Sequence, residues 1–361
     1  MSELSVISPD QMFSRLEFFA DRGENIYFHG ASGIGKSTII KAFAKYAAEK
    51  AGLTFYEVDK DPAPANLEKA YAYIEFLTGS QDVLDIKGAP EIVDGKTAYR
   101  ASDQLPDEAV HGKFGMWFLD EIASGGASVT NALSMIIEAK KSGAYVFPAN
   151  WFIAAASNRK KDHANIQKIG AQVNNRFGHF EVEATAASWS AYRIGRGSTG
   201  LVPAFIRFRA QLLHHFVKGD IAFCSPRVWE KVDRYWDDFD DVDFRQSVVA
   251  SWVGVGPAME LEGFSKIVAN MVSWKDIKAS PDTVNVPDRH DDQGLATIWA
   301  LIGVVGKNVD RDSLDAAVTY IRRFDIEFQE VFFLDLKAKQ PKLLDTTTVS
   351  QWRADNPNSG I

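Results

Sequence analysis

Residues 25–40 read Asn25-Ile26-Tyr27-Phe28-His29-Gly30-Ala31-Ser32-Gly33-Ile34-Gly35-Lys36-Ser37-Thr38-Ile39-Ile40, a glycine-rich loop set between a short apolar run and a helix-like segment. The loop fits the pattern G-x-x-x-x-G-K-[ST], whose chemistry is the holding of a polyphosphate. Gly30, Gly33 and Gly35 let the backbone turn N–H groups toward the anion, and the helix that follows presents its positive dipole end to the same charge. Lys36 would reach the β/γ-phosphates and Ser37 would ligate Mg²⁺. Residues Gly30, Ala31, Ser32, Gly33, Ile34, Gly35, Lys36, Ser37 and Thr38 are therefore expected to bind a nucleoside triphosphate, ATP with Mg²⁺.

A second chemical stretch is Gly115-Met116-Trp117-Phe118-Leu119-Asp120-Glu121-Ile122. A buried parallel strand shows as a continuous apolar run, and this one ends in two adjacent carboxylates, the hydrolysing form of a Walker B motif. Asp120 would hold Mg²⁺, directly or through water, and Glu121 would polarise the attacking water. A third run, Trp151-Phe152-Ile153-Ala154-Ala155-Ala156-Ser157, closes on Asn158. An asparagine there can orient the water against the γ-phosphate, the sensor 1 role. Read without its context, it is equally a strand ending in an Asx turn.

These residues need an alternating scaffold, and the chain supplies one. Asp10–Ala20 has an N-cap residue and helical apolar spacing. Ser37–Ala51, rich in Ala, Lys and Glu, reads as the helix the phosphates would cap. Leu53–Val58 reads as a strand and Ala65–Leu77 as another helix. Residues 81–112 are turn-rich and polar, with room for short strands. Thr130–Lys141 predicts a helix stopped at Ser142-Gly143, with a small hairpin at Tyr145–Asn150. Strand–helix alternation of this kind predicts an α/β fold with a mainly parallel sheet covered on both faces. From Ser188 to Val268 the pattern is helical: Trp189–Ile194, Pro203–Val217, Pro226–Tyr235 and Phe244–Val253. Pro281–His290 reads as a Pro/Asp-rich linker, and Gln293–Phe333 as two or three amphipathic helices.

Composition bounds the rest. The chain has 361 residues, 46% of them apolar, enough for a sizeable core and two or three domains. No run approaches the roughly 18 apolar residues of a membrane span, and the N-terminus lacks a basic start followed by an apolar core, so a cytoplasmic setting is expected. Cys224 is the single cysteine; beside Phe223 it reads as a small buried hydrophobe. A net charge of −8 argues against a surface that is one large nucleic-acid footprint. The acidic run Asp237–Asp243 lacks the central Gly and terminal Glu of a calcium loop and reads as a solvated turn between helices. His214-His215 are adjacent and cannot share a helix face, which disfavours a metal site.

The order of motifs then closes with Asn174-Asn175-Arg176-Phe177 before the short strand Phe180–Glu183. P-loop, apolar strand with Asp-Glu, strand with Asn, then Asn-Arg-Phe is similar to the AAA+ ATPases, and specifically resembles their MoxR-type and dynein-related branch. Phe223-Cys224-Ser225-Pro226-Arg227-Val228-Trp229 is similar to the Ser-Pro-Arg sensor 2 element that opens a helix of the lid domain. The resemblance continues through Gly254-Val255-Gly256 and the Phe328–Trp352 tail. It implies an AAA+ core over 1–187, a helical lid over 188–280 and a helical C-terminal extension over 281–361. It further implies that Arg176 is an arginine finger serving a neighbouring subunit and that Arg227 touches the γ-phosphate from the lid. The subunits would then form a ring of six. One departure is that Ala123-Ser124 follow Ile122 where the MoxR-type pattern has an Asn-Arg pair.

Other nucleotide enzymes fit less well. No Asn-Lys-x-Asp for guanine occurs, and Ser124-Gly125-Gly126 comes after the Walker B run rather than before it, against an ABC-type ATPase. Two functions remain. The first is a ring ATPase that remodels or chaperones a protein client, which in MoxR-like systems often carries a von Willebrand factor A domain. The other is a phage-type nucleic-acid motor or loader, for which Lys140-Lys141 and Arg159-Lys160-Lys161 are the basic clusters that could line a channel.

Overall fold

The computed structural model describes residues 4–100, 102–142, 145–159, 169–217, 219–269, 272–287, 294, 297–298, 301–302, 311–339 and 346–357. Lys160-Lys161 and parts of the 281–290 and 293–333 segments therefore lie outside the described residues. The chain divides into two compact units, Met1–Ala184 and Thr185–Ile361.

The first unit runs β1 (Ser5–Ile7), α1 (Pro9–Ala20), β2 (Ile26–Gly30), α2 (Lys36–Lys50), β3 (Thr54–Glu57), β4 (Ala70–Leu77), α3 (Val83–Lys87), β5 (Ala89–Val93), β6 (Lys96–Arg100), α4 (Glu108–His111), β7 (Phe114–Asp120), α5 (Ala127–Ala139), β8 (Lys141–Ser142), β9 (Tyr145–Val146), β10 (Trp151–Ser157), α6 (Ala171–Asn174) and β11 (Gly178–Val182). Among the described residues, β1-β11-β2-β10-β7-β4-β3 form one sheet, and each neighbouring pair is parallel. All seven strands consequently end on the same edge, where α/β sheets bind ligands.

Alternation along the strands splits the core into two layers. Ile26, Phe28, Tyr71, Tyr73, Met116, Phe118, Ala154 and Ala156 face α1 and α2, against Met12, Leu16, Ile40, Phe43 and Ala44. Tyr27, Ala72, Ile74, Phe76, Trp117, Leu119, Ile153 and Ala155 face the other way, onto Val129, Leu133, Ile136 and Ile137 of α5. Burial on both faces explains why these strands read as unbroken apolar runs.

The structure corrects the sequence at Ala65–Leu77. A short 3₁₀ turn at Leu67–Lys69 leads not into a helix but into β4, which pairs with β3 on one side and β7 on the other. The run Ala-Tyr-Ala-Tyr-Ile-Glu-Phe-Leu is dominated by aromatic and β-branched residues, and Ala70 to Ile74 are all buried. A helix would have put part of that apolar surface in water. Two smaller shifts accompany it. The expected hairpin at Tyr145–Asn150 forms earlier, between β8 and β9. Within 81–112 a second hairpin joins β5 to β6 through Asp94-Gly95, both at positive φ, the backbone that a two-residue turn of this hand requires.

The second unit is helical: α7 (Ala186–Gly195), α8 (Leu201–Phe208), α9 (Pro226–Tyr235), α10 (Val242–Val253), α11 (Val255–Ala269), α12 (Trp274–Ala279), α13 (Arg311–Ile321), α14 (Ile326–Lys339) and α15 (Thr347–Asp355) are among its described elements. The expected helix at Pro203–Val217 stops at Phe208 and gives way to a 3₁₀ turn at Ala210–Leu213. Arg193, buried, ties α7 to α9 through Asp233 at 2.8 Å and Glu230 at 3.0 Å. Ser225 caps α9 with Pro226 in its first turn, the proline's missing N–H costing nothing there. The acidic run at 237–243 is a turn: Asp241 caps α10 by accepting from the Phe244 N–H at 2.6 Å. Cys224 is buried, its thiol pushed up to about 12 by burial first and by the Glu260 charge second. Ile277, Leu314, Tyr320, Phe332, Phe333, Val349 and Trp352 form a core for the C-terminal helices. Among the described residues no helix is long and apolar enough to cross a membrane.

Gly115 of β7 lies where neighbouring atoms leave no room for a side chain. A Cβ there would sit 2.6 Å from the Ala72 carbonyl oxygen and 2.8 Å from the Trp151 ring. Gly115→Ala is expected to destabilise the first unit by about 1–3 kcal/mol through overpacking. An unchanged denaturant midpoint would contradict this packing.

Candidate nucleotide site

The loop 30–35 leaves β2 at the common C-terminal edge and enters α2. Gly33 and Gly35 have φ of 77° and 92°, a backbone that L side chains rarely adopt. Gly30 is constrained by space instead, since a Cβ there would come within 2.8 Å of the Val182 carbonyl oxygen. No side chain caps α2, and its first turn carries no acidic residue, so the N–H groups that normally need a cap face the loop with their positive end unneutralised. Ala31 and Ile34 are buried, whereas Ser32 and Thr38 are exposed. Lys36 is buried, its ammonium donating to the carbonyls of Gly30 at 2.8 Å and Ala31 at 2.9 Å. The loop thus folds around its own cation.

Ser37, in the first turn of α2, donates from Oγ to Oδ2 of Asp120 at 2.8 Å. The other oxygen of Asp120 accepts from the Glu121 backbone N–H at 2.9 Å. Asp120 is thereby fixed at the tip of β7, directly across the edge from the loop. Glu121 is exposed and sits in the left-handed region at φ 51°, a conformation costing a non-glycine residue on the order of 1 kcal/mol. Its side chain turns toward the end of β4: a Cβ on Gly79 would lie 3.7 Å from Glu121 Oε2. A hydroxyl and a carboxylate in contact are hard oxygen donors of the kind Mg²⁺ takes, so the residues present fit that ion.

Asn158 follows β10 immediately and is half-buried on the same edge. The preceding Ser157 pairs with His29 in register and accepts from the Tyr27 hydroxyl at 2.7 Å, which ties the strand carrying Asn158 to the strand carrying the loop. His29 in turn lies 2.9 Å from Nδ1 of His179 on β11.

Arg176 is placed elsewhere. It precedes β11, whose Gly178 pairs with Ile26 at the start of β2, so Arg176 stands at the opposite edge of the sheet from its own loop. The five residues of β2 separate the two edges by about 16 Å. Asn25 holds this segment: its side chain donates to the Arg176 carbonyl at 3.0 Å, and its own carbonyl accepts from the Gly178 N–H at 2.9 Å. The guanidinium is exposed and pairs with Glu138 at 2.7 Å. Arg227 is exposed on the first turn of α9, in the second unit.

The structure also brings to the site residues that the sequence reading passed over. Glu75 and Tyr73 of β4 fall on the face covered by α2, opposite Phe118 and Met116 in register, with Leu77 opposite Asp120. The misread helix hid them; the eight-residue run Ala70–Leu77, with turn residues on either side, was the signal for a buried strand.

No family model matches the chain, and no curated protein does. Among solved structures it is similar to the RuvB Holliday junction branch migration motor of Thermotoga maritima, at 14% identity over 84% of this chain and 85% of that one, TM-score 0.35. It is also similar to the Aeropyrum pernix ORC2 protein, at 12% identity over 91% and 85%, TM-score 0.41. A third likeness is to a putative ATPase from Cytophaga hutchinsonii, at 11% identity over 92% and 90%, TM-score 0.33. Superpositions this loose leave the fold to be read from the strand order itself.

One consequence of the site's packing is a pH dependence. Burial first, and the His179 charge second, lower the His29 pKa to about 4, with Lys36 acting in the same direction and Glu181 against it. In the unfolded chain a histidine titrates near ~6.5. Between those values only the unfolded state takes up the proton, so the contribution is fully present above about pH 6.5 and is lost as pH falls toward 4. Thermal melts should show the wild type losing stability faster than His29→Gln across that window. Parallel curves would refute it.

Proposed function

We propose that the chain is an ATP-hydrolysing AAA+ ring ATPase, with an AAA+ core over 1–187, a lid over 188–280 and a C-terminal extension over 281–361. The observation that carries this reading is the Ser37–Asp120 hydrogen bond, which joins a phosphate-type loop to a carboxylate-ended strand 83 positions away. Gly30–Thr38 would wrap the polyphosphate with backbone N–H groups, and Lys36 would exchange its two loop carbonyls for phosphate oxygens. Ser37 and Asp120 would hold Mg²⁺, which when bound neutralises charge on the β- and γ-phosphate oxygens. Glu121, exposed beyond the strand, would accept a proton from the attacking water, and Asn158 would orient that water.

Arg176 is assigned to the neighbouring subunit's nucleotide. Its place at the far edge of the sheet supports this, because it stands about a strand's length from its own loop. A guanidinium supplied in trans spreads its donors over the equatorial oxygens of the transition state, and Arg227 would reach the γ-phosphate from the lid. Such a site is complete only at an interface, hence a ring, of six by the resemblance.

The client is proposed to be a protein. Of the basic residues considered for a nucleic-acid channel, Lys140 is turned inward onto Asn25 at 3.3 Å and over the Phe147 ring, and Arg159 pairs with Glu181 at 2.9 Å. Cations engaged in this way leave less charge for a phosphate backbone. No observation supports a von Willebrand factor A domain on the client.

Lys36→Ala should lose ATP affinity, whereas Glu121→Gln should bind ATP without hydrolysing it, because the ammonium neutralises ground-state charge and the carboxylate acts on the water. Normal phosphate release by Glu121→Gln would remove that assignment. A Glu121→Gln pull-down with ATP should retain a protein, and recovery of nucleic acid instead would favour the motor reading.

The finger has its own test. Arg176→Ala and Glu121→Gln should each be nearly inactive alone, with losses on the order of 10³-fold. Mixed rings contain junctions where both residues are intact, so activity should reappear on mixing. Fully assembled mixed rings that stay inactive at every ratio would overturn the trans assignment.

A further inference from the structure

On the face of the sheet under α2, two polar residues of β4 share the face of Asp120, set two and four positions back from it in register. Tyr73, Glu75 and Leu77 alternate onto this face of β4, and Met116, Phe118 and Asp120 do so on β7, with Leu77 opposite Asp120 in register and Glu75 opposite Phe118. Tyr73 is 2% exposed, and its hydroxyl has no hydrogen-bond partner among the described residues. A buried hydroxyl without a protein partner costs about 1–3 kcal/mol unless water or a bound group meets it, so the Tyr73 hydroxyl is open to such a partner. The charges that act on it are those of Glu75 and Asp120. Glu75 is itself half-buried and held above the ordinary carboxylate range, by desolvation first and by the Asp120 charge next.

The cations that oppose this shift are Lys60 and Lys41, and Glu57 already contacts both of them. A second carboxylate on the face of Asp120, two positions back in register, adds negative charge near the place a divalent cation would take. Mg²⁺ dehydrates reluctantly and keeps several waters, whose protons need acceptors in the next layer. Asp120 already accepts from Ser37 on one oxygen and from the Glu121 N–H on the other, so part of its acceptor capacity is taken.

We infer that Glu75 and Tyr73 are positioning residues for the magnesium ion: Glu75 accepts from the ion's water ligands, and the Tyr73 hydroxyl completes the same layer behind Asp120. This rests on the reading of Ser37 and Asp120 as the metal's ligands. The pair sets metal affinity and leaves the glycine-rich loop to set nucleotide affinity.

The test is Mn²⁺ binding to the full chain with non-hydrolysable ATP, followed by electron paramagnetic resonance, beside the binding of a fluorescent ATP analogue in EDTA. Glu75→Gln should weaken Mn²⁺ about tenfold, at the low end of the 10–100-fold that outer-layer partners of a metal carry. Tyr73→Phe should weaken it severalfold. Metal-free nucleotide binding should stay at the wild-type level in both, which also reports that they fold. Glu75→Asp keeps the charge and withdraws the reach, so it should lose affinity too; wild-type Mn²⁺ binding by this variant would overturn a positional role. Glu57→Gln serves as the control for a general loss of negative charge, and an equal loss of metal affinity there would also overturn the inference.

Should Glu75→Gln fail to bind metal-free nucleotide, Tyr73→Phe decides alone, and Mn²⁺ affinity within twofold of wild type would refute the proposal. Asp120→Asn separates the two levels. If it abolishes Mn²⁺ binding while Glu75→Gln does not alter it, the inference fails and the site reading stands; if Asp120→Asn binds Mn²⁺ normally, the site reading itself fails.

Discussion

The hydrogen bond between Ser37 and Asp120 closes a loop of 83 residues, and nearly every feature of the first unit is arranged so that it can form. Asp120 reaches the edge because β7 runs parallel to β4 and β10 and is covered on both faces by apolar side chains. Ser37 reaches it because α2 starts directly at the loop and packs Ile40, Phe43 and Ala44 onto the sheet. The hydrophobic layers supply the free energy, and the polar contact inherits its geometry from them.

The edge so built is electrostatically expensive. A lysine is buried among loop carbonyls, a helix start goes without a side-chain cap, Glu121 takes a left-handed backbone, and Glu75 is kept above its usual pKa range beside Asp120. Each of these costs stability in isolation, and the uncapped helix start and the buried lysine are the two that an anion at the loop would offset. Concentrated local expense beside a well-packed core is the pattern expected where structure has been shaped by binding rather than by folding alone.

The other edge of the same strands has a different organisation. Asn25 binds the Arg176 carbonyl and the Gly178 N–H, and Lys140 donates to its side-chain oxygen, so the segment carrying Arg176 is fixed to the start of β2. One strand thus connects the glycine-rich loop at its end with the exposed arginine at its beginning. Tyr27–Ser157 and His29–His179 add side-chain links across the three strands between them. A shift of β2 along its length would be felt at both edges, because packed strands slide as units rather than residue by residue.

The candidate chemical residues stand out in the sequence because their signals are local. Glycine spacing, a lysine and hydroxyl at a helix start, and carboxylates closing an apolar run depend on neighbours within a few positions, and Pro226 beside Ser225 marks a helix start in the same way. Tyr73 and Glu75 were not legible. The residues before them, Ala65 to Ala70, suit a helix, and what makes Ala70–Leu77 a strand is the pair of strands that flank it, 13 or more residues away along the chain. The sequence by itself determined which groups could meet a phosphate and in what order along the chain. Only the tertiary structure decided that Asp120 meets Ser37, that Arg176 stands apart from both, and that a tyrosine and a glutamate lie behind the acid, because those relations are set by strand order and register, which long-range burial fixes.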